Sequence, residues 1–312
     1  MNVRQPDFRV LVILAAAAAI PSWAYAAGAT AGATQSAVSI PDFAGVWTHP
    51  FWPGFDPPLS GAGPVVNKSR LPSGTGNSNQ LVGDYTNPIL KPNAAEIVKQ
   101  HGEISKTGVG YPTPANQCWP QPVPYILWTI GVQMLQQPDK ITILYSNPDH
   151  EVRQVRMNQT HPAHVTPSWY GDSVGHYEGD TLVIDTVGVK SLRPFAMADI
   201  YGTPYTEAMH VVERYRLVDY EAAKEAEVRT LKENVAIPMN DSGLIVDPND
   251  KGKALQLEFT VEDENVFTKP WSASMTYRRA LGAWPEFACS ENQHQYYAGK
   301  DAEVPRADKP DF

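Results

Sequence analysis

Two acidic residues lie in stretches whose alternate positions are apolar, and such residues are candidates for acid/base chemistry. Glu213 alternates with Val211 and Tyr215, and Asp185 lies between two valines. If the apolar side of each stretch faces the protein interior, both carboxyl groups face it too. A buried carboxyl group is costly unless it is paired or protonated, and burial raises its pKa. Both residues are therefore candidates for an interior acid/base pocket.

Histidines and aromatic residues complete the predicted pocket. The predicted acid/base residues are Glu213, Asp185, His176 and His210. The residues predicted to bind a substrate are Tyr177, Trp169, Trp271, Arg214, His161 and His164. In the alternative interpretation, Glu213 and Asp185 form structural ion pairs with arginines such as Arg214, because such networks are common.

Two hypotheses for function follow from this pocket. In the first, the protein binds a small, partly apolar molecule, aromatic compounds included, and converts it by acid/base chemistry of the lyase, isomerase or hydratase type. No glycine-rich nucleotide-binding loop occurs, so this chemistry is predicted to use no cofactor. In the second, the site is a carrier or scavenger site, where tryptophan and tyrosine side chains stack on a ring compound.

Two further motifs predict neither a metal site nor a nucleophilic serine. His161 and His164 are separated by Pro162, which prevents a regular helix and leaves the ring directions undefined, so we predict loop histidines and no metal site. Residues 171–175 match Gly-x-Ser-x-Gly, but a nucleophile elbow needs a helix after Ser173. A hairpin turn follows instead, and we predict a strand entry.

The N-terminus predicts export. Arg4 and Arg9 flank an apolar run, Val10–Ile20, and Ala24-Tyr25-Ala26 offers a cleavage site. This is the pattern of a secretory signal peptide, and the run is shorter than the about 20 residues that span a bilayer. We predict a signal peptide over 1–26, a flexible lead-in over 27–39 and one β-barrel-like domain over 40–312, located in the periplasm or secreted.

Charge and cysteine content limit the partners. Loss of two arginines and one aspartate with the signal peptide changes the net charge from −9 to −10. An acidic chain without basic blocks argues against nucleic acid and anionic membrane surfaces, which leaves a small molecule as the predicted partner. The sequence leaves the oligomeric state open. Cys118 and Cys289 have no metal-ligand spacing, and an oxidising compartment permits a disulfide between them.

The pattern of elements predicts a mainly β fold. Residues 50–139 are rich in Pro, Gly, Asn and Gln, with one short helix over Asn93–His101 capped by Asn93. The predicted strands after it are Ile141–Ser146, Glu151–Asn158, Ser173–Tyr177, Thr181–Val187, Glu207–Val218, Glu227–Ile237, Leu255–Glu262 and Ser272–Arg279. Such an antiparallel meander buries its edges best by closing into a barrel, and a two-sheet sandwich is the alternative.

The start of the domain supports a barrel. Gly45-Val46-Trp47 resembles the entry to the first strand of lipocalin-like (calycin) barrels. In those proteins the Trp closes the barrel floor and an Arg from the last strand packs across it. The resemblance implies this role for Arg278 or Arg279, and it permits cofactor-free catalysis such as cyclisation.

A second resemblance covers nearly all of the mature chain. Residues 166–186, with Gly171-Asp172-Ser173-Val174-Gly175 followed by Tyr177-Glu178-Gly179-Asp180-Thr181-Leu182-Val183, resemble the signature of a large family of exported bacterial proteins. Further matching blocks are 42–47, 207–215, 268–271 and 289–292. The resemblance implies a shared fold and export, and no particular reaction. This chain departs from the pattern at Asp172, where His is usual, and at His176-Tyr177, where Arg-Trp is common.

Overall fold

The architecture comes from a computed structural model, which describes residues 40–50, 54–77, 79–108, 111–146, 151–191, 196–233, 244–281 and 284. The predicted signal peptide and lead-in lie outside these residues. Within them, the chain forms one mainly β unit with two α-helices. The mainly β fold predicted from the alternating stretches is confirmed.

Nine strands close into a barrel. The described residues form ten strands, which are β1 (Gly45–Thr48), β2 (Gly131–Gln136), β3 (Lys140–Tyr145), β4 (Val152–Met157), β5 (Asp172–Glu178), β6 (Thr181–Val187), β7 (His210–Val218), β8 (Ile245–Val246), β9 (Ala254–Glu262) and β10 (Trp271–Leu281). The order around the barrel is β1-β2-β3-β4-β5-β6-β7-β9-β10, and β10 pairs with β1 to close it. The short β8 adds to the edge of β10.

One pairing departs from the predicted antiparallel meander. β4 and β5 are parallel, with Arg156 opposite Val174 and Met157 opposite Gly175. Two consecutive parallel strands need a connection that returns along the strand length, so residues 158–171 run back outside the barrel. This return segment has no counterpart in a hairpin, and it carries His161 and His164.

Both helices differ from the prediction. α1 spans Pro92–Lys106, with Pro92 in its first turn and Lys91 at the N-cap, so Asn93 is not the cap. Proline suits the first turn of a helix because the amide hydrogen that it lacks would have no helical partner. α2 spans Tyr220–Glu233, which corrects the strand predicted over Glu227–Ile237 up to residue 233. Its residues Ala223, Ala226 and Thr230 are buried at helical spacing.

The two ends of the barrel wall meet at the predicted Gly-x-Trp motif. The Arg279 guanidinium carbon lies 3.9 Å from the centre of the Trp47 ring, and Arg279 Nη1 donates to the Ala44 carbonyl at 2.8 Å. The predicted Trp–Arg contact is therefore confirmed, with Arg279 as the arginine. Gly45 has a φ of +121°, and a Cβ there would lie 2.1 Å from Arg279 Nη1, so glycine is required.

Arg278 faces the opposite way, as alternation along β10 requires. It donates to Glu227 of α2 at 3.2 Å and so fixes the helix on the outside of the barrel. No helix in the described ranges is both long and apolar enough to cross a lipid bilayer.

Candidate functional site

Four side chains on the outside of the barrel join in one series of hydrogen bonds. His161 Nδ1 lies 2.7 Å from Asp172 Oδ2, and His161 Nε2 lies 3.1 Å from Asp185 Oδ1. The same Asp185 oxygen lies 2.9 Å from His210 Nε2. We call Asp172, His161, Asp185 and His210 the His–Asp chain. It unites three residues that the sequence had marked as candidates.

The elements explain how these residues meet. Asp172, Asp185 and His210 project outward from the neighbouring strands β5, β6 and β7. His161 comes from the return segment, which crosses outside these strands; further along it, Val165 packs close to Gly188. The parallel pairing of β4 and β5 is therefore what places an imidazole between two strand carboxylates.

The position of Asp185 corrects its predicted inward orientation. Leu182, Ile184 and Thr186 are fully buried on the inner side of β6, whereas the Asp185 side chain is 38% exposed. β6 carries apolar residues on both faces, so alternation in its sequence does not reveal which face is inside. Pairing with β7 decides it, because Ile184 lies opposite the buried Glu213.

His161 lies between two carboxyl groups. Both ring nitrogens of His161 lie within hydrogen-bond distance of a carboxylate oxygen. A neutral imidazole has one donor, and an ionised carboxylate has none. Both contacts are hydrogen bonds only if His161 is an imidazolium or one carboxyl group is protonated.

His210 is the member best placed to exchange a proton with a ligand. Its Nε2 faces Asp185, which as an acceptor holds the hydrogen on that nitrogen, so Nδ1 carries the free electron pair. Glu262 Oε2 lies 3.9 Å from Nδ1, beyond hydrogen-bond distance. The side chain is 33% exposed. A base oriented by a carboxylate, with its other nitrogen open, is the arrangement used in general acid/base catalysis.

Asp172 is kept ionised by its neighbours. Partial burial acts to raise the pKa of Asp172, but hydrogen bonds from His161 and Arg156 outweigh it and lower the pKa. Arg156 Nη2 lies 2.8 Å from both carboxylate oxygens. A neutral side chain at position 172 with a single acceptor atom could not accept from both partners.

Glu213 faces the interior, as predicted, and forms an ion pair there. Its side chain is fully buried, and Arg153 of β4 donates to it through Nη2 at 2.5 Å and Nη1 at 3.1 Å. Tyr215 donates to Oε2 of Glu213 at 2.9 Å. The alternative interpretation named an arginine such as Arg214 as the partner. The partner is instead Arg153, which lies across the barrel interior.

The network around Arg153 satisfies every donor of that guanidinium. Besides the two bonds to Glu213, Arg153 donates to Ser173, Tyr145 and Thr186, each at 3.0 Å. An arginine has five N–H donors, and all five have acceptors. Burial raises the pKa of Tyr145 to about 12 although the Arg153 charge opposes this. This part of the interior is thus filled by a closed polar network.

Ser173 belongs to this network and not to a nucleophile elbow. It is buried in β5, bonded to Arg153 and Thr186, and the hairpin into β6 follows. The predicted strand entry at Gly171–Gly175 is confirmed.

His176 and Tyr177 lie on opposite faces of β5 and cannot serve one pocket. His176 is exposed and pairs with Glu178 at 3.1 Å. The Tyr177 hydroxyl faces the other side and accepts from Gln136 at 2.9 Å. Arg214 is on the outer face, paired with Glu178 at 2.7 Å. Neither His176 nor Arg214 approaches Glu213, because they are on the other side of the barrel wall.

The predicted aromatic residues also separate. Trp271 is a core residue that packs against Phe55, Phe259 and Phe267, with ring centres 5.9–6.3 Å apart. Trp169 lies in the return segment, with the Lys190 ammonium 4.9 Å from its ring centre. His164 of the same segment is exposed. These residues do not line one common pocket with Glu213.

In the described part of the chain, no group of three or more His, Cys, Asp or Glu side chains is arranged to hold a metal ion. The disulfide predicted between Cys118 and Cys289 stays a prediction, because Cys289 lies outside the described residues.

None of the protein-family models, curated proteins or solved structures compared with this chain gave a significant match.

Sequence reasoning missed Arg153 as the partner of Glu213, although a signal was present. In β4, Arg153 alternates with Val155 and Met157, just as Glu213 alternates with apolar residues in β7. Opposite charges on the apolar faces of two strands indicate a buried ion pair, since burial of either charge alone would be costly. Glu262 gave no such signal, because it reaches His210 only through the pairing of β7 with β9.

Proposed function

We propose that this chain is an exported enzyme that converts a small, partly apolar molecule by cofactor-free acid/base chemistry at the His–Asp chain. The observation that carries the proposal is the position of Asp185, whose Oδ1 lies within 3.1 Å of both His161 and His210. A carboxylate shared by two imidazoles fixes both rings and stabilises a proton gained by either.

In the proposed mechanism, His210 Nδ1 removes a proton from a carbon of the bound molecule. The positive charge that forms on the ring is balanced by Asp185 on one side and Glu262 on the other. The proton then returns to a neighbouring carbon in an isomerisation, or to the leaving group in an elimination. His161 positions Asp185, and Arg156 and Asp172 position His161.

Three features of the sequence fit this proposal. The predicted signal peptide would deliver the chain to the periplasm or the cell exterior. A Cys118–Cys289 disulfide would be stable in that compartment. The resemblance to a family of exported bacterial proteins agrees with export, and the resemblance to lipocalin-like barrels permits cofactor-free catalysis.

The experiment is a proton-exchange screen, which needs no knowledge of the product. The purified chain is incubated in D₂O with a panel of small carbon acids, such as aryl ketones and unsaturated carboxylates, and deuterium uptake is followed by mass spectrometry. We expect at least one compound to gain deuterium or to be converted. The His210→Gln variant should lower that rate by roughly 10²-fold or more, in line with loss of a general base.

His164→Gln is the matched control, because His164 lies in the return segment, is exposed and is outside the His–Asp chain. It should leave the rate unchanged. Equal rates for wild type and His210→Gln would contradict the proposal. Saturable binding of compounds without exchange or conversion at any pH would favour the alternative, a carrier or scavenger.

A further inference from the structure

A groove on the outside of the barrel is separate from the interior network. Its floor is the outer face of β7, β9 and β10, and its volume is about 380 Å³. The loop at Pro57–Ser60 forms one wall, and Arg229 of α2 contributes to the lining. A volume of this order is within the range of small-molecule sites, about 300–1,000 Å³.

The wall loop is held at both ends. Asp56 forms two backbone hydrogen bonds with Ser274 of β10, at 2.9 and 3.1 Å, and the Ser272 amide donates to the Ala62 carbonyl at 3.0 Å. Thr230 of α2 also donates to the Asp56 carboxylate. The same aspartate thus connects the loop, the barrel and the helix, so the groove is built before any ligand arrives.

The charges that line the groove have an excess of positive sign. Arg214, Arg216 and Arg229 face it, against one carboxylate, Glu258. Arg214 is paired with Glu178 at 2.7 Å and Arg216 with Glu258 at 2.6 Å. Arg229 is exposed and makes no ion pair with the rest of the described chain. In a protein with a net charge of −9, this local excess favours an anionic ligand.

The groove also offers apolar contacts. Leu59 is 90% exposed at the wall, next to two prolines, and Val212 lies on the floor. An exposed leucine at the rim of a cationic groove gains most from a ligand that has an apolar body as well as a charge. The hydroxyl groups of Thr260 and Ser272, which are 2.9 Å apart, supply hydrogen-bond partners on the floor.

We propose that this groove binds a small organic anion, a carboxylate or sulfonate on an apolar ring or chain. The guanidinium of Arg229 would bind the anionic group, and Leu59 and the prolines would cover the apolar body. This binding site does not depend on the proposed acid/base chemistry. The groove lies close to the His–Asp chain. His210 and Val212 share the outer face of β7, and residues two apart in a strand are about 7 Å apart.

The test uses two fluorescent probes that differ in charge, 8-anilinonaphthalene-1-sulfonate and the neutral N-phenyl-1-naphthylamine. Titration of the purified chain should give saturable binding of the sulfonate, with at least roughly tenfold weaker binding of the neutral probe, since a charge-assisted hydrogen bond is lost. Arg229→Gln should weaken sulfonate binding by about fivefold to tenfold on the same grounds, and leave the neutral probe unaffected. Leu59→Ser should weaken both probes.

Lys224→Gln is the control, because it removes the same charge from an exposed position of α2 that does not line the groove. It should leave both affinities unchanged. Circular dichroism and thermal unfolding verify that each variant is folded. Equal affinities of wild type and Arg229→Gln for the sulfonate, or equal effects of the two α2 variants, would overturn the proposal. These binding measurements do not require turnover, so their outcome is independent of the outcome of the exchange screen.

Discussion

The Arg279 guanidinium lies 3.9 Å from the centre of the Trp47 ring, at the seam where the last long strand pairs with the first. The two residues are also direct partners in the β1–β10 register. Trp47 is almost fully buried, and its indole nitrogen donates to the Phe43 carbonyl at 2.9 Å. A cation–π contact to a buried ring stabilises a fold more than a contact between two exposed side chains.

Replacement of Arg279 by Gln should therefore lower the free energy of unfolding by about 2 kcal/mol, from the lost cation–π contact and the lost bond to Ala44. Urea unfolding followed by tryptophan fluorescence measures this. Arg216→Gln is the control, because it removes an arginine whose ion pair is exposed and worth at most about 1 kcal/mol. Equal destabilisation by the two variants would show that the Arg279–Trp47 contact stabilises the fold no more than an exposed ion pair does.

The Arg153–Glu213 pair is expected to be structural. Glu213→Gln leaves a buried guanidinium without its counter-charge, which costs about 3–5 kcal/mol. The double variant Arg153→Met, Glu213→Leu removes both charges and should be more stable than Glu213→Gln alone. Chemical unfolding of both proteins gives the comparison, with the exposed Glu178→Gln as the reference for a surface change. A Glu213→Gln protein as stable as Glu178→Gln would refute the structural role.

Gly202 is required by close contact with a histidine ring. Its φ is +78°, and a Cβ there would lie 2.0 Å from His101 Nδ1, on a ring whose centre is 3.4 Å from that of Tyr111. Gly202→Ala should destabilise by at least about 2 kcal/mol more than Gly179→Ala, since overpacking adds to the backbone cost. Gly179 has a similar φ of +64° and no atom within 4 Å of a Cβ. Similar melting temperatures for the two variants would contradict this.

Asp199 predicts a pH-dependent stability. Its carboxyl group is buried, and desolvation raises its pKa from 3.8 to about 6. The folded state thus binds the proton more tightly than the unfolded state, so this group's contribution to stability falls as the pH rises from about 4 to about 6 and is constant above that. The full cost at pH 7 is about 3 kcal/mol.

Asp199→Asn should remove this cost. Its stability relative to wild type is expected to increase between about pH 4 and pH 6, because the amide stays neutral throughout. The backbone amides of Tyr201 and Thr203, which donate to Asp199 Oδ1 at 2.8 and 3.2 Å, can donate in the same way to the carbonyl oxygen of an asparagine. Unfolding midpoints at a series of pH values measure the difference. A difference that does not vary with pH would show that Asp199 keeps an ordinary pKa.

Much of the barrel follows from local sequence. Glu213 could be placed inside because β7 alternates clearly between apolar and polar residues. The resemblance of Gly45-Val46-Trp47 to lipocalin-like barrels implied a contact of Trp47 with Arg278 or Arg279, and the structure identifies Arg279. The strand predicted over Glu227–Ile237 failed because Ala223, Ala226 and Thr230 form a helical stripe that begins upstream of that window.

The candidate site was predictable only in part. Residue type identified Asp185, His161 and His210 as candidates, but the sequence did not predict their hydrogen bonds to one another. It depends on the parallel pairing of β4 and β5, which returns the chain across the outside of the barrel, and strand sequences do not encode the direction of their neighbours. The sequence also did not reveal whether Asp185 faces the interior or the solvent, because β6 has apolar residues on both faces.

By itself, the sequence determined that the fold is mainly β and that Glu213 faces the interior. Those outcomes follow from side-chain alternation and from steric requirements within a few residues. Only the tertiary structure decided that Arg153 neutralises that acid and that two histidines share Asp185 outside. These contacts join residues 24 to 60 positions apart, and their partners are selected by strand register and chain direction.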